Sequence, residues 1–133
     1  MRKFFWIGLA AFTLCGASRV PAIHNLTPKD AEKLLAEGGV LLIDVRSEKE
    51  FNQSHIPNAQ FFPLLGLSNH VQELKADKTQ PVLVYDASDG NSLKAARVFY
   101  RNGYKDVYNL SGGMRAWIAA QKPIKVPQTT ATK

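Results

Sequence analysis

Apolar residues along this chain fall into two kinds of run, and the two kinds alternate. Val40-Leu41-Leu42-Ile43, closed by Asp44, and Val82-Leu83-Val84-Tyr85, closed by Asp86, are continuous, as strands buried on both faces must be. Between them the apolar positions recur every three or four residues, the helical period. Residues 28–37 place Ala31, Leu34 and Leu35 on one side, and residues 92–102 place Ala95, Ala96 and Phe99 on one side. The pattern predicts strands at 22–26, 40–44, 60–62, 82–85 and 107–110. It predicts helices at 28–37, 47–51, 71–76, 92–102 and 114–121. Thr27 followed by Pro28 reads as an N-cap with proline at the first helical position. Gly38-Gly39 stops that helix. Ser47 with Glu50 three residues later has the spacing of a capping box. Residues 55–59 form a turn, and the tail from Pro123 onward, residues 125–133 in particular, is expected to be loose.

Strand and helix alternating within 133 residues imply one α/β domain, expected over residues 18–124. The architecture they imply is a mostly parallel sheet covered by helices on both sides. Ligands of such sheets sit at the carboxyl ends of the strands. Two predicted strands end there in a carboxylate, Asp44 and Asp86. Each reads either as acid, base or ligand, or as a cap that accepts loop N–H groups.

The first residues change the picture of where the chain works. Met1-Arg2-Lys3 is a short positive start, residues 4–17 are apolar or small, and Cys15-Gly16-Ala17 offers small residues to a signal peptidase. Residues 1–17 therefore read as a cleaved export signal, cut after Ala17 or one residue later, and the protein as periplasmic or secreted. The apolar run is shorter than the roughly 20 residues of a spanning helix. An uncleaved anchor and a lipidated Cys15 are the alternatives; Leu14 is bulky for the second. No membrane association is expected once the segment is gone. Cys15 is the only cysteine, so the mature chain has no disulfide, no thiolate metal site and no thiol nucleophile. The net charge is +6, or +4 once Arg2 and Lys3 are subtracted. Its positive residues form no basic run, and no nucleic-acid partner is expected. The composition, 45% hydrophobic and 21% charged, is that of an ordinary soluble domain.

Four segments, in order, give the chain a family likeness: Leu42-Ile43-Asp44-Val45-Arg46 with Glu50-Phe51; His55-Ile56-Pro57-Asn58-Ala59; residues 82–96; and Leu110-Ser111-Gly112-Gly113-Met114 with Trp117. Together they resemble the rhodanese-like sulfurtransferases over residues 23–124. The resemblance implies a rhodanese-like, doubly wound α/β fold, a mostly parallel five-stranded sheet with helices on both faces, and an active loop of the pattern Cys-x-x-Gly-x-Arg-Ser. Laid on this chain, the loop is Asp86-Ala87-Ser88-Asp89-Gly90-Asn91-Ser92. Its length suits the sulfur-transferring branch. The cysteine position holds Asp86, the arginine position Asn91 and the glycine position Asp89, with the glycine moved to 90.

A loop ahead of a helix N-terminus points N–H groups inward and attracts anions. A carboxylate there fills the cradle from within, and it forms no persulfide. Asp89 adds a second negative charge, whose repulsion of an anionic sulfur donor is on the order of 1 kcal/mol or more. The expectation is a rhodanese-like domain with no catalytic residue, a degenerate loop at 86–92, and a binding site drawing on Asp44, Arg46, Asp86 and Asn91. It is expected to act as a monomeric binding or regulatory module for an unidentified protein or small molecule at the loop, without cofactor. The alternative is a sulfurtransferase or hydrolase that uses another group of the loop. Asp86, Ser88, Asp89 and Asn91 are oxygen donors, but their spacing matches no calcium loop, and no metal is expected. His55 reads as structural, His24 and His70 as surface residues, Trp117 as core, and Arg46 as the partner of a nearby carboxylate. Lys94, Arg97 and Arg101 form a basic stripe: a solvated face, or a docking patch for an acidic partner.

The export reading has a direct test. N-terminal sequencing of protein recovered from outside the cytoplasm should begin at Ser18 or Arg19; soluble cytoplasmic protein that retains Met1 would contradict it.

Overall fold

The computed structural model describes residues 23–128. The expected export segment, residues 1–17, and the end of the tail, residues 129–133, lie outside them. Ten elements follow in strict alternation: β1 (His24–Leu26), α1 (Pro28–Glu37), β2 (Leu41–Asp44), α2 (Glu48–Gln53), β3 (Gln60–Phe61), α3 (Leu67–Glu73), β4 (Val82–Tyr85), α4 (Asn91–Arg101), β5 (Val107–Leu110) and α5 (Gly113–Ala119). The strands form one sheet in the order β1-β5-β4-β2-β3, and every pairing is parallel. Leu41 to Asp44 pair with Val82 to Tyr85, residue for residue. β2 and β4 therefore end side by side, Asp44 opposite Tyr85, with Asp86 the next residue out of β4.

Side chains alternate across the strands, and each face gathers its own core. Leu41, Ile43, Val82, Val84 and Val107 meet α3 and α4 through Leu67, Val71, Ala95, Ala96 and Phe99. Leu42, Leu83, Tyr85 and Leu110 meet α1 and α5 through Ala31, Met114 and Trp117. Both faces of the sheet are covered, which is why its central strands carry uninterrupted apolar runs. Trp117 is core, as its helical spacing from Met114 suggested, and His24 and His70 are exposed.

Two expectations are corrected. The third helix runs from Leu67 to Glu73, not over 71–76. Leu67 and Val71, one turn apart, are both buried against the sheet, and burying that pair draws the helix upstream; Leu74 is already extended. The tail is not loose from Pro123. Trp117 Nε1 donates to the Pro123 carbonyl at 2.7 Å. Lys125 exchanges two backbone hydrogen bonds with His55, of 2.9 and 2.7 Å. As far as Lys125 the tail is a strap across the His55 turn.

Candidate functional site

Because all five strands are parallel, the segments leaving β2 and β4 emerge at one edge of the sheet. A cleft of about 270 Å³ opens between them, with Arg46, Ser47 and Glu50 on one wall and residues 86–89 with Asn91 on the other.

The first wall is built on a buried ion pair. Asp44 is fully buried. Arg46 Nε lies 3.0 Å from both of its oxygens and Nη2 lies 2.7 Å from Oδ2, a bidentate grip. The Arg46 backbone N–H adds a bond of 2.9 Å to Oδ1, and Nη2 also donates to the Ser54 carbonyl at 2.6 Å. The guanidinium lies 5.7 Å from the centre of the Tyr85 ring. Burial acts to lower the Arg46 pKa, yet the bonds and charge of Asp44 outweigh it and hold the pKa above its ordinary value. Of the expected binding residues, Asp44 does not line the cleft: Arg46 takes up its whole carboxylate. Tyr85, beneath, accepts from Ile56 N–H at 3.1 Å, and burial pushes its hydroxyl well above the ordinary range.

Ser47 and Glu50 complete the wall as a full capping box: Ser47 Oγ accepts from Glu50 N–H, and Glu50 accepts from the Ser47 N–H and hydroxyl. Those bonds, the hydroxyl's first, hold Glu50 below the usual carboxylate range. His55 lies outside the cleft lining. Its ring stacks on Phe51 at 3.9 Å, and Nδ1 donates to the Phe51 carbonyl at 2.9 Å.

The second wall is the loop ahead of α4. Asp86 directly follows β4 and is 5% exposed. Its Oδ2 accepts from Asn91 N–H at 3.1 Å, and its Oδ1 from the buried Ser92 hydroxyl at 3.4 Å. The loop is stapled to the start of α5 at three points. The Asp86 and Ala87 carbonyls accept from Met114 and Arg115 N–H at 2.8 and 3.0 Å, and Asp89 Oδ1 accepts from Gly112 N–H at 3.1 Å. Asp89 is thus a fixed clasp as well as a charge. Gly113 makes the approach feasible. Its φ is +57°, and a Cβ there would collide with the Asp86 carbonyl and come within 2.7 and 2.8 Å of Ser88 O and N.

Three of the four expected binding residues, Arg46, Asp86 and Asn91, line the cleft together. Sequence reasoning missed Ser47 and Glu50 as lining residues, although the capping box had placed them directly after β2. It also gave no role to Gly113, whose signal was the double glycine before a helix. With Arg46 paired to Asp44, the carboxyl groups lining the cleft are those of Glu50, Asp86 and Asp89, beside the neutral polar groups of Ser47, Ser88 and Asn91. Such a lining accepts hydrogen bonds and favours cationic or neutral polar ligands over anions. Among the described residues no three His, Cys, Asp or Glu side chains come together as metal ligands.

Residues 27–120 match the family model of the rhodanese-like domain. YqhL of Bacillus subtilis, an uncharacterized protein, is 40% identical over 76 residues, covering 57% of this chain; the chain spans only 59% of YqhL's length. The thiosulfate sulfurtransferase GlpE of Coxiella burnetii is 33% identical over 90 residues, covering 68% of this chain and 82% of GlpE. Among solved structures, a thiosulfate sulfurtransferase from Pseudomonas aeruginosa superposes with a TM-score of 0.69 at 32% identity, covering 78% of this chain and 20% of that one. A rhodanese-like domain protein from Staphylococcus aureus gives 0.67 at 25% identity, covering 80% of this chain and all of the other. The chain belongs to the rhodanese-like domain family.

Two consequences follow for the walls. Gly113→Ala should destabilise the fold by about 1–3 kcal/mol in chemical unfolding, since a left-handed site and a backbone contact are both violated; Gly38→Ala, with open space around it, should cost less. The Glu50 pKa is lowered in the folded state, so its contribution to stability is present above the ordinary value of 4.5 and is lost as pH falls through the folded value. Ser47→Ala should cost about 1 kcal/mol at pH 7 and less at pH 3. An equal penalty at both pH values would contradict that linkage.

Proposed function

We propose that this chain is an exported rhodanese-like module that binds a protein or small polar ligand at its cleft and does not transfer sulfur. The observation that carries the reading is the residue at the head of the cleft. In the rhodanese-like pattern the position closing β4 is the persulfide-bearing cysteine; here it is Asp86. Persulfide chemistry needs a thiolate, and the only cysteine of the chain is Cys15, in the segment we take to be removed on export. Asn91 stands where the pattern has an arginine, and Asp86, Asp89 and Glu50 make the cleft a poor host for a dianionic sulfur donor. The module acts as a monomer in the periplasm or outside the cell, with neither nucleic acid nor membrane as partner. No helix of the described residues is long and apolar enough to cross a membrane.

Catalysis by another group of the loop is the competing reading. A nucleophilic carboxylate needs a partner that activates it or clamps the substrate. Both oxygens of Asp86 already accept hydrogen bonds, and the guanidinium of the cleft is committed to Asp44. The geometry supports binding better than attack.

The test is sulfurtransferase activity. The purified chain without residues 1–17 should release no thiocyanate from thiosulfate and cyanide above background. Asp86→Cys alone should give weak activity at best. Adding Asn91→Arg and Asp89→Asn, which keeps an acceptor for Gly112 N–H while removing the charge, should raise it at least tenfold. Robust activity of the unmodified chain overturns the proposal. A folded but silent triple variant would place the defect outside the loop.

A further inference from the structure

The outer face of α4 is a second surface, distinct from the cleft. Ala95, Ala96 and Phe99 turn inward and are buried, whereas Lys94, Arg97 and Arg101 are all exposed. The helix contains no acidic residue, and among the described residues none of the three cations takes part in an ion pair. Spacings of three and four set like charges on adjoining turns, an arrangement that weakens a helix unless something opposes it. A further cation, Lys78, lies at the C-terminal end of α4. Lys78 Nζ donates to the Asn102 carbonyl at 2.5 Å and lies 5.9 Å from the centre of the Tyr104 ring. The nearest carboxylate in sequence, Asp77, turns instead to the N–H and hydroxyl of Thr79.

We infer that this face docks an acidic helical segment of a partner protein, whatever ligand the cleft takes. The cations from 94 to 101 span roughly 10 Å of helix axis at 1.5 Å per residue. Carboxylates at i, i+4 and i+7 of an antiparallel helix repeat that spacing. The stripe offers no apolar anchor for a bilayer: the exposed large apolar residues, Leu65, Ile118, Ile124 and Val126, all lie off α4, and interfacial helices need such residues beside their charges. Four cations also fall short of the roughly 6–10 phosphate contacts typical of strong nucleic-acid binding.

The experiment uses two labelled helical peptides of identical composition. One carries Glu at i, i+4 and i+7; the other carries the same three Glu on different faces. Fluorescence anisotropy with the purified chain at low salt should show the patterned peptide binding at least tenfold tighter, with the difference shrinking as salt rises. Lys94→Gln/Arg97→Gln/Arg101→Gln, at exposed positions, should abolish the preference, and Lys94→Glu/Arg97→Glu/Arg101→Glu should transfer it to a Lys-patterned peptide. Circular dichroism checks that both variants are folded; should the reversed variant unfold, the neutral one still decides. Equal binding of the two peptides, or a preference that survives neutralisation, would overturn the inference. So would tighter binding, through the same three residues, to a DNA oligonucleotide or to phosphatidylserine vesicles.

Discussion

A buried carboxylate gripped by a buried guanidinium sets the geometry of the sheet edge on which the site depends. Asp44 closes β2 without access to solvent, and Arg46, two residues on, holds both its oxygens while reaching the carbonyl of Ser54 at the end of α2. The pair thereby fixes the direction of the chain out of β2, the position of α2 and one wall of the cleft. Removing one partner of such a pair leaves a buried charge uncompensated, at a cost of about 3–5 kcal/mol. The same grip offsets most of the charge of Arg46, which also helps to hold Glu50 below the usual carboxylate range. An unpaired arginine at the mouth of a cleft would attract an anion. This one is paired from below with Asp44, and the carboxyl groups of Glu50, Asp86 and Asp89 line the cleft with it.

The opposite wall is held by contact between backbones. The loop after β4 reaches the start of α5 through three hydrogen bonds, and Gly113 is the residue that lets the two segments touch. Asp86 and Asp89 then play different parts on one short loop. Asp86 folds its carboxylate back onto Asn91 and Ser92, as a cap would. Asp89 reaches outward to Gly112 and closes the loop onto its neighbour. The family fold rests on the two apolar layers and the Asp44–Arg46 pair.

The alternation of continuous and periodic apolar runs determined the fold class, the number and order of the strands, and four of the five helices to within two residues at each end. Local chemistry was legible for the same reason. The caps at Thr27 and Ser47, and the position of Asp86 at a strand end, depend on residues close together in sequence. Tertiary structure decided what depends on distant residues. The third helix was drawn upstream to Leu67 by burial of Leu67 with Val71 in the core layer shared with α4. The strap at Lys125 was fixed by its pairing with His55, far back in the chain. Asp44 looked as available for binding as Asp86, since both are aspartates closing apolar strands. Only the parallel register of β2 with β4, and the way Arg46 folds back over the edge, left one carboxylate buried in an ion pair and the other at the head of a cleft. Hydrophobic period is a property of a segment, whereas accessibility and charge compensation belong to the neighbours that folding brings to it.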